Sequence, residues 1–294
     1  MELELWSEVS AAISAVGNHW KRLSRLMHPT ASIVRVYHWA CLHDRPVSWA
    51  CRAENWTPAT RPDALPDQST LSRRTRQPDF WAFLRRVGER MKGDDEPRLV
   101  KVVDGKPLEL PNHTTDRDAT WSRGVSRMSV GYKIHAIFAG NPMPEAFAIT
   151  TLDVCEKRMA ARLIKRTGRF GYLLADAHYD ASWLFDVCHT RNHQLVCPRA
   201  KPRTGVGHHY VSPHRRRAID LLEIPRSVSR FGHDLYDQRT GIEREFSQLT
   251  CFGAGLGALP SWVRRIWRVR HWVMNKLLIN AARIRINRAK AVGA

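Results

Sequence analysis

The sequence lacks a long apolar run and the pattern of an export signal. Its longest apolar stretches, such as WVMNKLLINAA at 272–282, are short and contain Asn and Lys, whereas a membrane-spanning helix needs about 20 apolar residues. The N-terminal sequence MELELWSEV is acidic, and it has neither the basic region nor the apolar run of a signal peptide. We therefore expect a cytoplasmic protein that has no membrane partner.

Cysteine is sparse, and its spacing is wrong for a structural role. The six cysteines stand at positions 41, 51, 155, 188, 197 and 251, and no two of them form a C-x-x-C pair. This spacing supports neither a zinc knuckle nor a disulfide framework. We expect reduced thiols that are mostly buried.

Acidic residues are too few to balance the basic ones. The 294 residues include 47 Lys and Arg but only 28 Asp and Glu, a formal net charge of +19. Such an excess says little about fold, but it predicts a polyanionic partner, DNA or RNA. The hydrophobic content of 43% is ordinary, so the chain can bury one large core or two modest ones.

A composition break at MKGDDEPRLV, residues 91–100, divides the chain into two patterned regions. The region before it, 1–92, has helical periodicity throughout. Its segment LPDQSTLSRRTRQ, residues 65–77, predicts a short helix capped by Asp67 or Ser69, with a basic C-terminal end. Short helices with a basic last member suit a helix-turn-helix, although a helical domain with a solvated basic face is the alternative.

The region 98–294 begins with an alternation of strands and helices. Its order is three strands, helix, strand, helix, strand, which predicts an α/β layer built on a mixed sheet. A basic segment, 199–217, follows and contains six Lys or Arg, three His and no acid; Pro and Gly predict a loop. The tail 260–294 has nine Lys or Arg, no acid, and an apolar helical stripe that starts at Trp262.

Two acids stand directly after apolar strands. Asp104 follows LVKVV and Asp176 follows YLLA. If these strands are neighbours the two carboxylates meet, and carboxylate oxygens are the ligands that Mg²⁺ prefers. Both could instead cap turns, since Asp-Gly at 104–105 is a turn signal. The helix YDQRTGIEREFSQLT at 236–250 offers Glu243 and Glu245 as a third ligand, and geometry leaves both open.

Taken together, these motifs resemble the DDE transposases of bacterial insertion sequences. The resemblance covers roughly residues 40–290, and its most specific part is the spacing Asp104 … Asp176 … Tyr-x2-Arg-x3-Glu243. It implies a ribonuclease-H-like catalytic domain with a mixed five-stranded sheet flanked by helices. A small all-α, helix-turn-helix-like domain precedes it. One departure is Thr250, which stands where the family often has Lys.

The resemblance also implies a function. Asp104, Asp176 and Glu243 would be the catalytic residues and would bind two Mg²⁺ ions, or Mn²⁺ in their place, with no small-molecule cofactor. The bacterial enzyme would cleave double-stranded DNA at the ends of an element and join those ends to target DNA, acting as a homodimer on DNA. A repurposed DNA-binding protein without catalysis and a metal-dependent nuclease without strand transfer are the alternatives.

Further residues are predicted to contact DNA. Domain 1–92 would bind DNA or mediate dimerisation, and domain 98–294 would carry the catalytic site, the basic loop 199–217 and the basic C-terminal helices. The predicted DNA contacts are Arg73, Arg74, Arg76, Lys201, Arg203, Arg215, Arg216, Arg217, Tyr236 and Arg239. The nearby His178 and Asp180 are interpreted as structural, and Asp153 and Glu156 as acids at a helix start.

Overall fold

A computed structural model describes residues 1–20, 27–93, 98–111, 115–168, 170–202, 211–251 and 255–292, without the side chains of 242–246, 248, 250 and 251. Its helices are α1 Glu2–His19, α2 Thr30–Leu42, α3 Val47–Ala50, α4 Gln68–Thr75, α5 Pro78–Lys92, α6 Glu156–Leu163, α7 Ser182–His189, α8 Pro213–Glu223, α9 Phe231–Cys251 and α10 Ile266–Val292. Its strands are β1 Val100–Glu109, β2 Thr120–Arg123, β3 Met128–Phe138, β4 Ala146–Thr151, β5 Gly171–Leu174 and β6 His193–Val196. No helix among these residues is both long and apolar enough to cross a bilayer.

The chain separates into two compact units. Unit 1 comprises Met1–Asp94, Leu110–Asp116 and Leu249–Ala294, and unit 2 comprises Asp95–Glu109 and Arg117–Gln248. The C-terminal helix α10 therefore packs with the N-terminal helices. The functional division into 1–92 and 98–294 follows a different criterion and stays a prediction.

Unit 1 is a helical assembly around α10. Helices α1, α2 and α5 all pack against α10, and every residue of 271–282 is buried. The sequence predicted a single apolar stripe on this helix, but residues 271–282 are buried on every side of it. Trp262 precedes the helix, which begins at Ile266.

Two buried polar side chains of unit 1, His38 and Lys276, have partners in the fold. The Nδ1 atom of His38 lies 3.0 Å from Oδ1 of Asn275. The Nζ atom of Lys276 donates to the carbonyl oxygen of Cys41 at 2.8 Å and to Oδ1 of Asp44 at 2.5 Å. These bonds offset the desolvation of the buried groups.

The basic tail meets the acidic N-terminus. Arg285 pairs with Glu8 at 2.7 Å and Lys290 pairs with Glu4 at 2.9 Å, so both tail cations face acids of α1. With Lys276 buried as well, part of the positive charge of the tail is engaged within the protein and is not open to phosphates. Charge complementarity between the chain ends accounts for the acidic sequence MELELWSEV.

In α4 the structure selects one of the two predicted caps. Asp67 precedes the helix, and its Oδ1 accepts the Thr70 amide N–H at 2.8 Å. Ser69 lies inside the helix and donates its hydroxyl to the same carboxylate. The cap satisfies an amide that has no partner within the helix.

Unit 2 is built on the predicted mixed sheet. Strands β1, β3 and β4 are antiparallel neighbours, and β5 and β6 continue the sheet from β1 in parallel. The sheet has six described strands instead of five, because β2 was missed. β2 and β4 pair end to end with the edge of β3 that faces away from β1, so the sheet is five positions wide.

Both faces of the sheet are covered. On one face, Val103, Leu173 and Leu195 pack with residues of α6 and α7. On the other face, Val102, Leu174 and Val196 pack with Leu235 of α9. Successive residues of a strand point to opposite faces, which explains the continuous apolar runs of the parallel strands.

The predicted basic loop is partly helical. Residues 213–217 belong to α8, which begins after Ser212 with Pro213 in its first turn. The Ser212 hydroxyl accepts the His214 amide at 3.2 Å and donates to Asp186 at 2.5 Å. Ser-Pro is a helix-start signal that the run of basic residues concealed. Residues 203–210 lie outside the described residues.

Candidate active site

Asp104 and Asp176 occupy corresponding positions along two adjacent strands. Asp104 lies within β1, which continues past the expected strand end to Glu109, and Asp176 comes two residues after the end of β5. In the parallel pair, Val102 is opposite Leu174, and two further residues along each strand lead to Asp104 and Asp176. Since residues two apart along an extended chain point to the same side, both acids lie on the sheet face of Val102 and Leu174. The side chains of Val102 and Leu174 pack with α9. The tertiary structure brings these two predicted ligands together at the carboxyl end of β5.

Asp104 is partly buried among like charges. Its Oδ1 accepts the Gly105 amide N–H at 2.8 Å. Burial raises the pKa of Asp104 to about 6, and the nearby carboxylates of Asp176 and Glu156 add to this, while the Gly105 hydrogen bond and Arg239 oppose it. A carboxylate held beside other acids favours a bound cation.

Asp176 begins a short turn. It precedes the 3-10 helix Ala177–Tyr179, and its Oδ1 accepts the His178 amide N–H at 2.9 Å. The alternative interpretation as a turn-capping Asp is thus correct in its geometry. It does not exclude a ligand role, because a carboxylate has lone pairs beyond the one used by this bond.

Asp180 has a different environment. Both of its carboxylate oxygens accept from the Arg215 guanidinium, at 2.5 and 2.7 Å, and Oδ2 also accepts the Ala200 amide at 3.0 Å. Its oxygens are therefore engaged by the protein itself. His178 is exposed at the surface.

Helix α9 is fixed to the end of β5 by Tyr236. The Tyr236 hydroxyl donates to the carbonyl oxygen of Ala175 at 3.1 Å, next to Asp176. The Arg239 guanidinium lies 5.9 Å from the centre of the Tyr236 ring and near enough to Asp104 to lower its pKa. Two members of the Tyr/Arg/Glu pattern therefore flank the two aspartates.

Glu243 lies in α9, one helical turn beyond Arg239. Its side chain is outside the described residues, as are those of Arg244, Glu245 and Thr250. The choice between Glu243 and Glu245 therefore stays a prediction. Among the described residues, no group of three or more His, Cys, Asp or Glu is arranged to hold a metal ion.

The sequence did not indicate that two further residues, Glu156 and Tyr179, lie close to the aspartates. Glu156 does begin a helix, α6, but it also lies next to Gly105, where an added Cβ would be 3.0 Å from the Glu156 carboxyl carbon. The Glu156 carboxylate forms an ion pair with Lys133 at 2.7 Å. Tyr179 is 1% exposed, and its hydroxyl has no hydrogen-bond partner in the described structure. No periodicity links these residues to Asp104, so only the fold reveals them.

The predicted DNA contacts in α4 and just after it differ in exposure. Arg73 and Arg76 are exposed, and Arg76 lies 5.9 Å from the ring centre of Trp267. Arg74 is buried, and its guanidinium donates to the carbonyl oxygen of His28 at 3.0 Å and to the Thr30 hydroxyl at 3.1 Å. In this arrangement Arg74 supports the helix from inside, because a buried guanidinium cannot reach a base edge.

The predicted contacts in the basic segment also divide into two kinds. Lys201, Arg216 and Arg217 are exposed, whereas Arg215 is engaged with Asp180. Arg203 lies outside the described residues. The sign of the charge could be read from the sequence, but the pairing of Arg215 depends on the fold.

Comparison with known proteins identifies the family. The family model described as Transposase DDE domain matches residues 95–274, more than half of the chain. The chain therefore belongs to the DDE transposase family, which confirms the family and fold class expected from the motifs. A cryo-EM structure of a piggyBac transposase synaptic complex with hairpin DNA aligns at 10% identity and a TM-score of 0.43, covering 95% of this chain and 71% of that one. No curated protein matches the chain.

Proposed function

We propose that this chain is a Mg²⁺-dependent transposase that cleaves DNA at the ends of an insertion element and joins those ends to target DNA. One observation carries the proposal beyond the family match. The pairing of β1 with β5 brings Asp104, within β1, close to Asp176, which follows β5 by two residues, and the Tyr236–Ala175 hydrogen bond fixes α9 beside them.

The residues present fit a divalent metal. The donors are hard carboxylate oxygens, and the pKa of Asp104 is raised to about 6 by burial and by neighbouring acids. Asp104, Asp176 and Glu243 would hold two Mg²⁺ ions, or Mn²⁺ in their place. When bound there, such ions would lower the pKa of a water and would stabilise negative charge on oxygen during phosphoryl transfer.

The reaction has two phosphoryl-transfer steps. Water attacks the phosphorus at the element end, and the bond to the 3′ oxygen breaks to leave a 3′-hydroxyl and a 5′-phosphate. That 3′-hydroxyl then attacks a phosphorus of target DNA and displaces its 3′ oxygen. Arg239, beside Asp104, would contact the phosphate whose charge grows in each step.

The exposed cations would position the DNA. Arg73 and Arg76 would read the element ends, and Lys201, Arg216 and Arg217 would contact phosphates without sequence preference. Arg203 stays a predicted DNA contact because of its positive charge. We expect two copies of the chain to act together on DNA, since transposition holds two ends at once.

The decisive experiment uses the two glutamates of α9 as a matched pair. The substrate is DNA that carries the inverted repeats flanking the gene, incubated with Mg²⁺. Asp104→Asn, Asp176→Asn and Glu243→Gln should abolish strand cleavage, while Glu245→Gln should retain it. Full activity in any of the first three variants removes that residue from the site.

Two other results would redirect the proposal. Cleavage by the wild-type protein without joining of the cut ends to a second duplex would define a metal-dependent nuclease. Binding of the inverted repeats with no cleavage under any divalent metal would define a DNA-binding protein that has no catalytic role.

A further inference from the structure

Unit 1 contains a small cavity between α4 and the segment that leads into α10. Residues of α2, α3 and α4 line three sides of it, and Trp262, Trp267 and Arg268 line the fourth. Its volume is about 190 Å³. At about 30 Å³ for each molecule of liquid water, this is room for a single-ring organic molecule. The reaction proposed at the two aspartates uses none of the lining residues.

Three aromatic side chains form the walls of the cavity. Tyr37 is 3% exposed, and Trp262 and Trp267 are half-buried. Pro46 and Val47 add further apolar surface. Such walls favour a flat apolar ring, because burial of the ring removes apolar surface from water and aromatic rings pack well on one another. Mostly apolar walls with a few polar groups are typical of small-molecule sites.

Arg268 gives the cavity a single positive charge. Its guanidinium lies 4.9 Å from the centre of the Trp267 ring, and within the described part of the chain it has no carboxylate partner. A guanidinium that lies over an indole face keeps the N–H donors in its own plane for an acceptor. A carboxylate can accept two of these donors side by side, and such charge-assisted pairs are among the stronger hydrogen bonds.

Other lining residues provide hydrogen-bond donors without acceptors. Ser48 and Ser72 are half-buried, and neither hydroxyl has a hydrogen-bond partner among the described residues. The Tyr37 hydroxyl and Nε1 of Trp262 are buried and have no partner there either. The lining that the structure describes includes no Asp or Glu. Buried donors without acceptors cost free energy, so an oxygen of a bound anion would be stabilising here.

The same residues disfavour other classes of ligand. Arg268 and Arg76 lie 4.9 and 5.9 Å from the centre of the Trp267 ring, so two cations already face this ring and a cationic ligand would be repelled. A phosphate dianion carries two charges into a space that has mostly apolar walls. The one lining guanidinium, that of Arg268, offsets the desolvation of one charge only. A carboxylate attached to a ring matches both the charge and the walls.

We propose that this cavity binds a small aromatic carboxylate. The ring lies among the three aromatic walls, and the carboxylate accepts hydrogen bonds from Arg268 and from the Ser72 hydroxyl. The inference goes beyond the proposed function and does not depend on it, because the cavity belongs to unit 1 and the aspartates belong to unit 2. A molecule bound there contacts the inner side of α4, the helix that carries predicted DNA contacts on its exposed side.

Three small probes test the class of ligand: benzoate, benzamide and acetate. Saturation-transfer NMR titrations of the full chain are made at physiological ionic strength, which screens the general attraction of a basic protein for anions. Benzoate should bind with a Kd of about 1 mM or below, as its size allows. Benzamide lacks the charge and acetate lacks the ring, so each should bind at least about tenfold more weakly than benzoate.

Two arginines of α10 provide a matched pair of variants. Arg268→Gln should weaken benzoate binding at least about tenfold and leave benzamide binding within about twofold, since only the carboxylate loses its cation. Arg270 also lies over an indole, 5.8 Å from the ring centre of Trp81, but it does not line the cavity. Arg270→Gln should therefore bind benzoate as the wild type does. Ser72→Leu fills the cavity and should abolish binding of benzoate and benzamide without lowering the thermal midpoint.

Photolabelling locates the site in the wild-type protein, so the test does not depend on the folding of a variant. Irradiation with 4-azidobenzoate should label residues within 46–48, 68–75 or 262–268, identified by mass spectrometry, and excess benzoate should prevent the labelling.

Four results would overturn the proposal. Benzoate could show no saturable binding to the wild-type protein, or benzamide or acetate could bind as tightly as benzoate. Labelling could fall only outside the lining segments. Equal weakening in the Arg268 and Arg270 variants would assign the binding to general surface charge. All of these readouts measure binding in unit 1, so a failure of strand cleavage at the aspartates is distinguishable from each of them.

Discussion

The two units provide examples of charged groups that are buried in opposite ways. In unit 1, Lys276 is enclosed but donates to Asp44 and to a backbone carbonyl, and His38 is enclosed but bonded to Asn275. In unit 2, Asp104 is partly buried beside two further carboxylates, so burial and like charge act in the same direction on its pKa. A buried polar group with a hydrogen-bonded partner is compatible with a stable fold, whereas clustered carboxylates repel one another, and a bound cation relieves that repulsion.

Unit 2 also contains a buried charged group that has a fitted partner, namely Asp180. Asp180 lies only four residues from Asp176, yet both of its oxygens are bound by Arg215. The difference between these two acids is therefore one of environment and not of residue type. It can be tested by substituting one acid of each kind, Asp104 and Asp180.

The largest expected effect concerns Asp104 and separates activity from stability. Asp104→Asn should reduce Mg²⁺-dependent strand cleavage by at least about a thousandfold, since a metal ligand contributes several kcal/mol to the transition state. The thermal midpoint should stay constant or rise, because the substitution removes a desolvated charge from a cluster of acids. Cleavage assays and thermal unfolding on the same preparation check both parts.

Asp180→Asn is the matched control and should behave in the opposite sense. It leaves Arg215 without its carboxylate, so the free energy of unfolding should fall by about 2 kcal/mol while the folded fraction still cleaves DNA. A loss of stability in Asp104→Asn as large as that in Asp180→Asn would remove the distinction between the two acids.

The next largest effect concerns the buried amine of unit 1. Lys276→Ala leaves a cavity and removes the partner of Asp44, so unfolding should become easier by about 3 kcal/mol. Lys276→Met keeps most of the side-chain volume and should recover much of this loss. Intrinsic fluorescence can follow the transition, because all tryptophans except Trp121 and Trp183 lie in unit 1.

Exposed Lys290, paired with Glu4 at the surface, is the control for Lys276. Lys290→Ala should leave the unfolding midpoint nearly unchanged, because solvent screens such pairs. Equal losses in the Lys276 and Lys290 variants would contradict the structural role given to the buried amine.

A smaller effect is expected from pH. Burial lowers the pKa of His38 to about 4 and that of His271 to about 3, although the Asn275 bond opposes the shift at His38. The unfolded chain binds these protons near pH 6.5, so the stability that the neutral histidines contribute is complete above that pH. It should be lost as the pH falls from 6.5 towards 4, by about 2 kcal/mol per histidine at pH 5.

Chemical unfolding followed by tryptophan fluorescence across that pH range measures the slope. His38→Gln should remove the share of His38, and His178→Gln, at an exposed position, should leave the slope unchanged. An unaltered slope in His38→Gln would show that His38 is not the titrating group.

The smallest effect concerns the basic segment. Combining Arg216→Ala with Arg217→Ala should reduce the slope of log affinity against log salt by about 2, since each phosphate contact releases about one counterion. Arg215→Ala should mainly lower stability, because its guanidinium is bound to Asp180. DNA binding measured at several salt concentrations separates the two, and a larger salt effect from Arg215 would reverse their assignment.

The sequence predicted the parts of the site that depend on local pattern. An acid directly after an apolar run is visible in the chain, so Asp104 and Asp176 were recognised without a structure. The spacing of Tyr236, Arg239 and Glu243 follows from helical periodicity, and the described helix α9 contains all three positions. The alternation of elements predicted the mixed sheet in the same way.

Other features could not be predicted because they depend on partners distant in sequence. Strand β2 has four residues, too few for periodicity to be recognised, so this strand and its exposed Trp121 were missed. Arg73 and Arg74 are adjacent and chemically identical, yet only packing against His28 and Thr30 buries the second. Arg285 and Lys290 of the tail pair with Glu8 and Glu4 of α1, and these partners, far away in the sequence, could not be predicted from it.

By itself, the sequence determined the net charge, the order of most strands and helices, and the two acids that follow apolar runs, because each is a property of neighbouring residues. The expected strand end at Asp104 was wrong, because β1 continues to Glu109. Only the tertiary structure decided that Asp104 and Asp176 lie close together and that Asp180 is bound by Arg215. Register and pairing are set by contacts between segments far apart in the chain, where burial and like-charge repulsion act on whichever groups the fold brings together.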